Sequence, residues 1–148
     1  MNEVKTIFEP QNVVLIGSSM IREKVGMASP QLFGDVTYNM KKFFHGSTYV
    51  LDVDGKAGYD RLNDLPEVVE LAVIMLPPEQ SLVQAEECAK RGVKAFVLIT
   101  GGYDDKQRQQ MLKLKRKHDI RILGPNTIMG VINTANGLNT TFERDLMP

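Results

Sequence analysis

The stretch that decides the fold is Asn12-Val13-Val14-Leu15-Ile16-Gly17-Ser18-Ser19, followed a few residues later by Val25-Gly26. An uninterrupted apolar run, mostly β-branched, predicts a strand that is buried on both faces, as in a parallel sheet. The loop after it could bring backbone N–H groups close to the phosphate oxygens of a nucleotide, beside the positive end of a following helix. The full Gly-x-Gly-x-x-Gly pattern is absent. On this stretch alone, a plain strand-to-helix turn is therefore an equally good interpretation.

The composition fits one globular domain. The chain has 148 residues, of which 43% are hydrophobic and 24% charged, so a packed core is expected rather than disorder. A formal net charge of zero favours neither nucleic acid nor a membrane surface as a partner. The single cysteine excludes an internal disulfide, residues 1–10 contain no apolar signal core, and no apolar run is long enough to cross a membrane. We expect a single domain over residues 1–148, located in the cytoplasm, without nucleic-acid or membrane partners.

Apolar runs alternate with amphipathic stretches along the chain. Further strands are predicted at 47–53, 70–76, 94–100 and 121–123, and helices from Ser29-Pro30 to His45-Gly46, over 79–92 and over 104–118. Ser29 should cap the first helix, and Gly46 should end it in the left-handed conformation. Residues 1–10 are expected to be a lead-in, and two short strands are expected around Asn136-Gly137. This order predicts an α/β fold: a doubly wound, mostly parallel, Rossmann-like sheet with helices on both faces.

Small and polar residues follow each predicted strand of the main sheet. They are Gly17-Ser18-Ser19, Asp52, Pro77-Pro78, Thr100-Gly101-Gly102 and Gly124-Pro125-Asn126. In a doubly wound sheet these loops meet at the carboxyl edge, where ligands bind. Loops in general favour the same residue types, but five such strand ends together favour a binding site. Asp52 could accept hydrogen bonds from ribose hydroxyls, or it could cap a turn before Gly55.

The other chemically reactive side chains predict neither a catalytic residue nor a metal site. Cys88 falls on the apolar face of a predicted helix, which indicates a core position rather than a nucleophile. His45 and His118 lie at helix ends, and neither has a second histidine or cysteine at metal-ligand spacing. The basic run at 113–117 is expected to be a solvated helix face.

Several motifs together carry a family resemblance. They are residues 13–19, Tyr49-Val50-Leu51-Asp52-Val53, Asp64-Leu65-Pro66-Glu67, Gly101-Gly102-Tyr103, and Arg121-Ile122-Leu123-Gly124-Pro125-Asn126 leading to Gly130-Val131-Ile132-Asn133. In this order they resemble the N-terminal CoA-binding domain of the NDP-forming acyl-CoA synthetases. That family includes ADP-forming acetyl-CoA synthetase and is related to the succinyl-CoA synthetase alpha subunit. The resemblance runs from about residue 7 to residue 142, and the Gly-Pro-Asn motif is its most specific part.

The resemblance implies a Rossmann-like sheet that binds coenzyme A, and it assigns a role to each strand-end loop. Gly17, Ser18 and Ser19 match the phosphate-side loop, and Val25 and Gly26 open the site. Asp52 and Val53 match the end of the second strand, near the adenosine ribose. The remaining positions are Leu76, Pro77 and Pro78 beside the adenine, Thr100 and Gly101 near the pantetheine arm, and Asn126 of the Gly-Pro-Asn motif.

Two positions depart from the family pattern. The family usually has asparagine where Asp52 stands and a lysine near the position of Asp54. An acid there would repel the 3′-phosphate of CoA unless Lys56 or Arg61 compensates. Alternatively, Asp52 suits an unphosphorylated ribose, as in NAD or an adenine nucleotide.

The resemblance also bears on activity. In the family, the phosphorylated catalytic histidine lies in a following domain and a separate ATP-grasp domain binds nucleotide. These 148 residues match neither, and neither His45 nor His118 occupies a corresponding position. We therefore expect a CoA-binding domain or small subunit of such a synthetase, inactive alone, that works with partner domains or subunits and prefers CoA to NAD. The alternatives are a stand-alone regulatory module for NAD or an adenine nucleotide, and a scaffold that contacts partner subunits.

Overall fold

The computed structural model describes residues 2–21, 26–55, 58–128 and 130–146. Its helices are α1 (Glu3–Phe8), α2 (Pro30–Phe43), α3 (Pro78–Lys90) and α4 (Asp105–His118), with a short 3₁₀ turn at Leu62–Asp64. Its strands are β1 (Asn12–Gly17), β2 (Ser47–Asp52), β3 (Leu71–Ile74), β4 (Ala95–Leu98), β5 (Arg121–Leu123), β6 (Ile132–Asn133) and β7 (Leu138–Asn139). β1 to β5 form one sheet in the order β2-β1-β3-β4-β5, and all its neighbouring strands are parallel. The predicted fold class is confirmed.

Strand β1 is an internal strand of this sheet. It pairs with β2 from Asn12↔Ser47 to Gly17↔Asp52 on one side and with β3 on the other. Every residue of β1, β3 and β4 is buried, as a sheet covered on both faces requires. Because the chain passes from β2 to the far side of β1 to form β3, the order of strands reverses beside β1. A crevice at the carboxyl ends of β1 and β3 follows from this topology.

Alternate residues of the strands supply two separate hydrophobic cores. On one face, Val13 and Leu15 pack in a cluster with residues of α2 such as Phe33 and Met40. On the other face, Val14 and Ile16 belong to a cluster that includes side chains of α3 and α4. The continuous apolar run 13–16 is explained by these two cores, since each face of β1 has its own helical cover.

Helix α2 begins as predicted but ends differently. The Ser29 hydroxyl accepts the Leu32 N–H at 3.0 Å, and Pro30 occupies the first helical position. The predicted left-handed Gly46 is wrong: the helix ends at Phe43, Phe44 is extended, and Gly46 has no positive φ. A Cβ at Gly46 would lie 2.2 Å from the carbonyl oxygen of Gln11, so close packing of the two chain segments accounts for the glycine.

The predicted lead-in and two predicted strands also differ from the structure. Within residues 1–10, α1 forms because the Asn2 side chain caps the N–H groups of Val4 and Lys5 at 3.1 and 3.2 Å. The strands predicted at 70–76 and 94–100 are shorter in the structure. Their apolar sequences continue past the ladder because residues 75–76 and 99–100 remain fully buried in the loops at the carboxyl edge.

The two short strands near the C-terminal end pair in antiparallel fashion around Asn136-Gly137, as predicted. The segment after them returns along α2 and is fixed by the fully buried Asn39. The Asn39 amide donates to the carbonyls of Thr141 and Glu143, both at 2.9 Å, and its oxygen accepts the Asp145 N–H at 3.2 Å. Arg144 adds an ion pair with Asp35 at 2.6 Å.

Replacing Asn39 should therefore destabilise the fold. We expect Asn39→Ala to lower the free energy of unfolding by about 2–3 kcal/mol, because a fully buried amide is lost and the backbone groups of Thr141, Glu143 and Asp145 lose their partner. Gln31→Ala, at an exposed position of the same helix, should change it by less than about 0.5 kcal/mol. Urea unfolding measures both variants, and equal effects would contradict this role for Asn39.

Cys88 is fully buried in α3, and its burial raises the pKa of the thiol to about 12. Because almost no thiolate exists at neutral pH, we expect the native chain to react with a thiol reagent such as DTNB only through unfolding. The same chain in guanidinium chloride should react at once and serves as the control. Rapid reaction of the native chain would show that Cys88 is accessible.

Candidate functional site

An open cleft of about 890 Å³ lies at the carboxyl edge of the sheet. It is formed by the loops after β1, β2 and β3 together with the first two turns of α3. Its lining residues are Ser18, Met20, Ile21, Val53, Asp54, Leu76, Pro77, Glu79, Gln80, Val83 and Gln84. The volume lies within the range of small-molecule sites, and the position is the one at which open α/β sheets bind their ligands.

Four of the predicted site residues meet in this cleft: Ser18, Val53, Leu76 and Pro77. The other predicted residues that the structure describes are not among its lining. They are Gly17, Ser19, Gly26, Asp52, Pro78, Thr100, Gly101 and Asn126. Val25 lies outside the described residues. Most residues of the second set hold the loops in place behind the cleft or beside it.

Asp52 connects the loops after β1 and β2. It is fully buried, and its Oδ1 accepts the N–H groups of Ser19 at 3.2 Å and Asp54 at 3.0 Å. Its carbonyl accepts the Gly55 N–H at 2.9 Å, which closes the turn. These hydrogen bonds are the ones that the turn-capping interpretation of Asp52 predicts. The carboxylate thereby fixes the two loops that carry Ser18 and Asp54.

Gly17 allows α2 to pack against the end of β1. A Cβ at this position would lie 2.4 Å from the ring of the buried Phe33. The side-chain volume is therefore excluded by helix packing. The serine that follows Gly17, rather than the glycine itself, lines the cleft.

The Ser18 hydroxyl and the Asp54 carboxylate meet in the cleft. Ser18 is 1% exposed; its hydroxyl donates to Asp54 Oδ2 and accepts the Met20 N–H at 3.1 Å. The charged residues of the described lining, Asp54 and Glu79, are both acidic. Arg61, one of the two residues expected to compensate, instead pairs with Asp64 at 3.2 Å, and neither lines the cleft. The other, Lys56, lies outside the described residues.

A second group of predicted residues joins the loops after β4 and β5. Gly26 accepts the Gly101 N–H at 2.9 Å and has a φ of +53°, and a Cβ there would lie 2.1 Å from the Gly101 carbonyl oxygen. The Asn126 N–H donates to the Thr100 carbonyl at 3.0 Å. The Thr100 hydroxyl donates to the carbonyl of the cleft residue Leu76 at 2.5 Å. This group therefore adjoins the cleft at Leu76.

Helix α3 contributes a wall of the cleft that is not among the predicted site residues. Glu79, Gln80, Val83 and Gln84 line the cleft at spacings of three and four residues, which places them on one face of a helix. That spacing was visible in the sequence. Because three of these four side chains are polar, the same spacing is also typical of a solvated helix face and did not by itself indicate a site.

The two histidines lie away from the cleft. His118 Nε2 is 3.1 Å from Glu86 Oε1, and the pKa of the Glu86 carboxyl is lowered by His118 and then by Lys117. His45 lies by the amino end of β2, where its backbone N–H donates to the Asn136 carbonyl at 3.0 Å. Within the described ranges, no group of histidine, cysteine or acidic side chains could hold a metal ion. Among the helices described, none is long and apolar enough to cross a membrane.

Comparison with known proteins identifies the family. The family described as "CoA binding domain" matches residues 11–133. The alpha subunit of ADP-forming acetate–CoA ligase II of Pyrococcus furiosus is 30% identical over 91% of this chain and 30% of its own length. The ADP-forming acetate–CoA ligase of Methanocaldococcus jannaschii is 32% identical over 99% of this chain and 21% of its own length.

A solved structure agrees with these sequence relatives. It is the dinucleotide-forming acetyl-coenzyme A synthetase 1 of Ca. Korarchaeum cryptofilum, in complex with phosphate and ADP. The TM-score is 0.79 at 28% identity, over 96% of this chain and 31% of that one. This chain thus spans between a fifth and a third of the length of these relatives. It belongs to the CoA-binding domain family and corresponds to the CoA-binding region of ADP-forming acyl-CoA synthetases.

Proposed function

We propose that the chain holds coenzyme A in the cleft at the carboxyl edge and acts as the CoA-binding module of an ADP-forming acyl-CoA synthetase. The observation that carries this proposal is the coincidence of the cleft with the strand-order reversal beside β1, in a chain of a CoA-binding family. We place the module in the cytoplasm. The acyl transfer itself is assigned to other parts of such a synthetase.

The cleft offers an apolar surface on which a planar base can lie. Ile21, Val53 and Pro77 line it from three different loops, and Val83 completes it from α3 with a side chain that is 56% exposed. Apolar walls with a few polar groups are typical of sites for small organic ligands. We assign the adenine of CoA to this surface, next to Leu76 and Pro77 as expected from the resemblance.

The polar groups of the cleft suit the phosphates. Helix α3 begins at Pro78 without a side-chain cap, so the N–H groups of Glu79 and Gln80 remain available to an anion. Pro78 has no N–H, and the Ser81 N–H donates to the Pro77 carbonyl at 2.8 Å. The Ser18 hydroxyl lies on the same cleft. From there the pantetheine arm can lead towards Thr100 and Gly101, whose loop is joined to Leu76.

NAD or an adenine nucleotide is the second candidate ligand. The observation that favours it is the acidic lining, because Asp54 and Glu79 disfavour the additional phosphate of CoA. We expect CoA to bind more tightly than NAD by at least tenfold in isothermal titration calorimetry. Equal or tighter binding of NAD would assign the cleft to the second candidate.

A substitution on α3 tests the location of the site. We expect Val83→Glu to weaken CoA binding by about tenfold or more, because it places a further negative charge beside the ligand. Its matched control is Val68→Glu, at a residue that is 50% exposed and does not line the cleft. The control should change the dissociation constant by less than about threefold. Similar effects of the two substitutions would contradict the proposed location.

Binding and turnover should be separable. We expect the 148-residue chain to bind CoA but to form no acetyl-CoA from acetate, ATP and CoA, since it matches less than a third of its curated relatives' length. Product formation is followed by liquid chromatography of the reaction mixture. Turnover above the rate without protein would show that catalytic groups lie within this chain.

A further inference from the structure

We infer that Asp54 limits the affinity of the cleft for its ligand by occupying the hydroxyl group of Ser18, which would otherwise bind a phosphate oxygen. The inference rests on the proposed function and identifies a contact that ligand binding must break. It concerns the phosphate groups of CoA, because these are the acceptors that compete with a carboxylate for a hydroxyl donor.

The geometry of Ser18 is the first argument. The residue is buried to 1% exposure, and its hydroxyl accepts the Met20 N–H, which holds the oxygen in place. A serine hydroxyl has a single proton to donate. In this structure that proton is donated to Asp54 Oδ2. A phosphate oxygen that approaches Ser18 must therefore replace the carboxylate.

The position of Asp54 is the second argument. Its backbone N–H donates to the buried Asp52 at 3.0 Å, so the main chain is fixed while the exposed carboxylate lines the cleft. The carboxylate is thus an internal anion beside the hydroxyl that a phosphate would use. It resembles a phosphate in being a negatively charged acceptor, and the two repel each other.

Glu79, the other acidic residue of the described cleft lining, provides a matched comparison for Asp54. Glu79 lines the same cleft from the first turn of α3 and has no described contact with Ser18. Neutralising Glu79 removes one negative charge from the cleft, as neutralising Asp54 does. Only the Asp54 substitution weakens the acceptor that competes with a phosphate for the Ser18 hydroxyl. The two variants therefore distinguish the Ser18–Asp54 hydrogen bond from electrostatic repulsion between the acidic lining and the phosphates of CoA.

The experiment is a calorimetric titration of CoA into the full chain and four variants. We expect Asp54→Asn to tighten binding about tenfold, equivalent to about 1.4 kcal/mol, and Glu79→Gln by less than about threefold. Asparagine keeps the size of the side chain and its acceptor oxygen, and Asp54 is exposed. The unfolding temperature without ligand should therefore remain unchanged, and this is measured alongside.

The remaining two variants test the role of the hydroxyl. Ser18→Ala should change the affinity by less than about twofold in the native background, because ligand binding there only exchanges the Asp54 carboxylate for a phosphate oxygen as the acceptor of the Ser18 hydroxyl. Combined with Asp54→Asn, it should weaken binding about tenfold relative to Asp54→Asn alone, because the Ser18 hydroxyl then donates to the phosphate without a competing carboxylate. If Ser18→Ala impairs folding, the comparison of Asp54→Asn with Glu79→Gln still decides.

Three results would overturn the inference. The first two are equal gains from Asp54→Asn and Glu79→Gln, and no gain from Asp54→Asn in a chain that binds CoA. An equal loss from Ser18→Ala in both backgrounds would also overturn it. Absence of CoA binding by the native chain and all variants would instead reject the proposed function, so the two failures are distinguishable.

Discussion

The whole structure depends on the burial of β1 between two strands and two helical layers. Val13 to Ile16 are each fully buried, and the strand is hydrogen bonded to β2 on one edge and to β3 on the other. Because β2 and β3, the next two strands of the chain, pair with opposite edges of β1, the direction in which strands are added to the sheet reverses at β1. The reversal leaves a crevice at its carboxyl end that neither neighbouring crossover covers. The cleft is therefore a consequence of the position of β1, the strand formed by the apolar run, in the sheet.

Hydrogen bonds behind the cleft convert this crevice into an ordered site. The Leu76 carbonyl accepts the hydroxyls of both Thr100 and Ser81, which ties the loop after β3 to the next loop and to α3. Asp52 does the same for the loops after β1 and β2. Because the Leu76 carbonyl and Asp52 Oδ1 belong to buried residues and each accepts two hydrogen bonds, they favour one arrangement of the loops. Several residues that resembled ligand contacts in the sequence thus position the residues that line the cleft.

The sequence predicted the sheet well because its signals are local. The run at 13–16, the Ser29-Pro30 cap and the Asn136-Gly137 turn each act within a few residues. The wrong assignment at Gly46 has a non-local cause, since Gln11 lies 35 positions earlier in the chain and excludes a side chain there. The contact between Ser18 and Asp54 is likewise invisible without the pairing of β1 with β2. The sequence predicted that the loops after the strands form a site. Which of their residues line the cleft, and which lie behind it and hydrogen bond its loops, could be read only from the structure.

If the crevice beside β1 holds the ligand, titration with CoA should change the amide chemical shifts of the residues that line it. We expect the largest ¹H–¹⁵N shift changes at Ser18, Val53 and Gln80, which line the cleft. Residues at the amino edge of the sheet, such as His45 and Ala135, should keep their shifts. Shift changes concentrated at the amino edge, with none at the cleft, would show that CoA binds elsewhere.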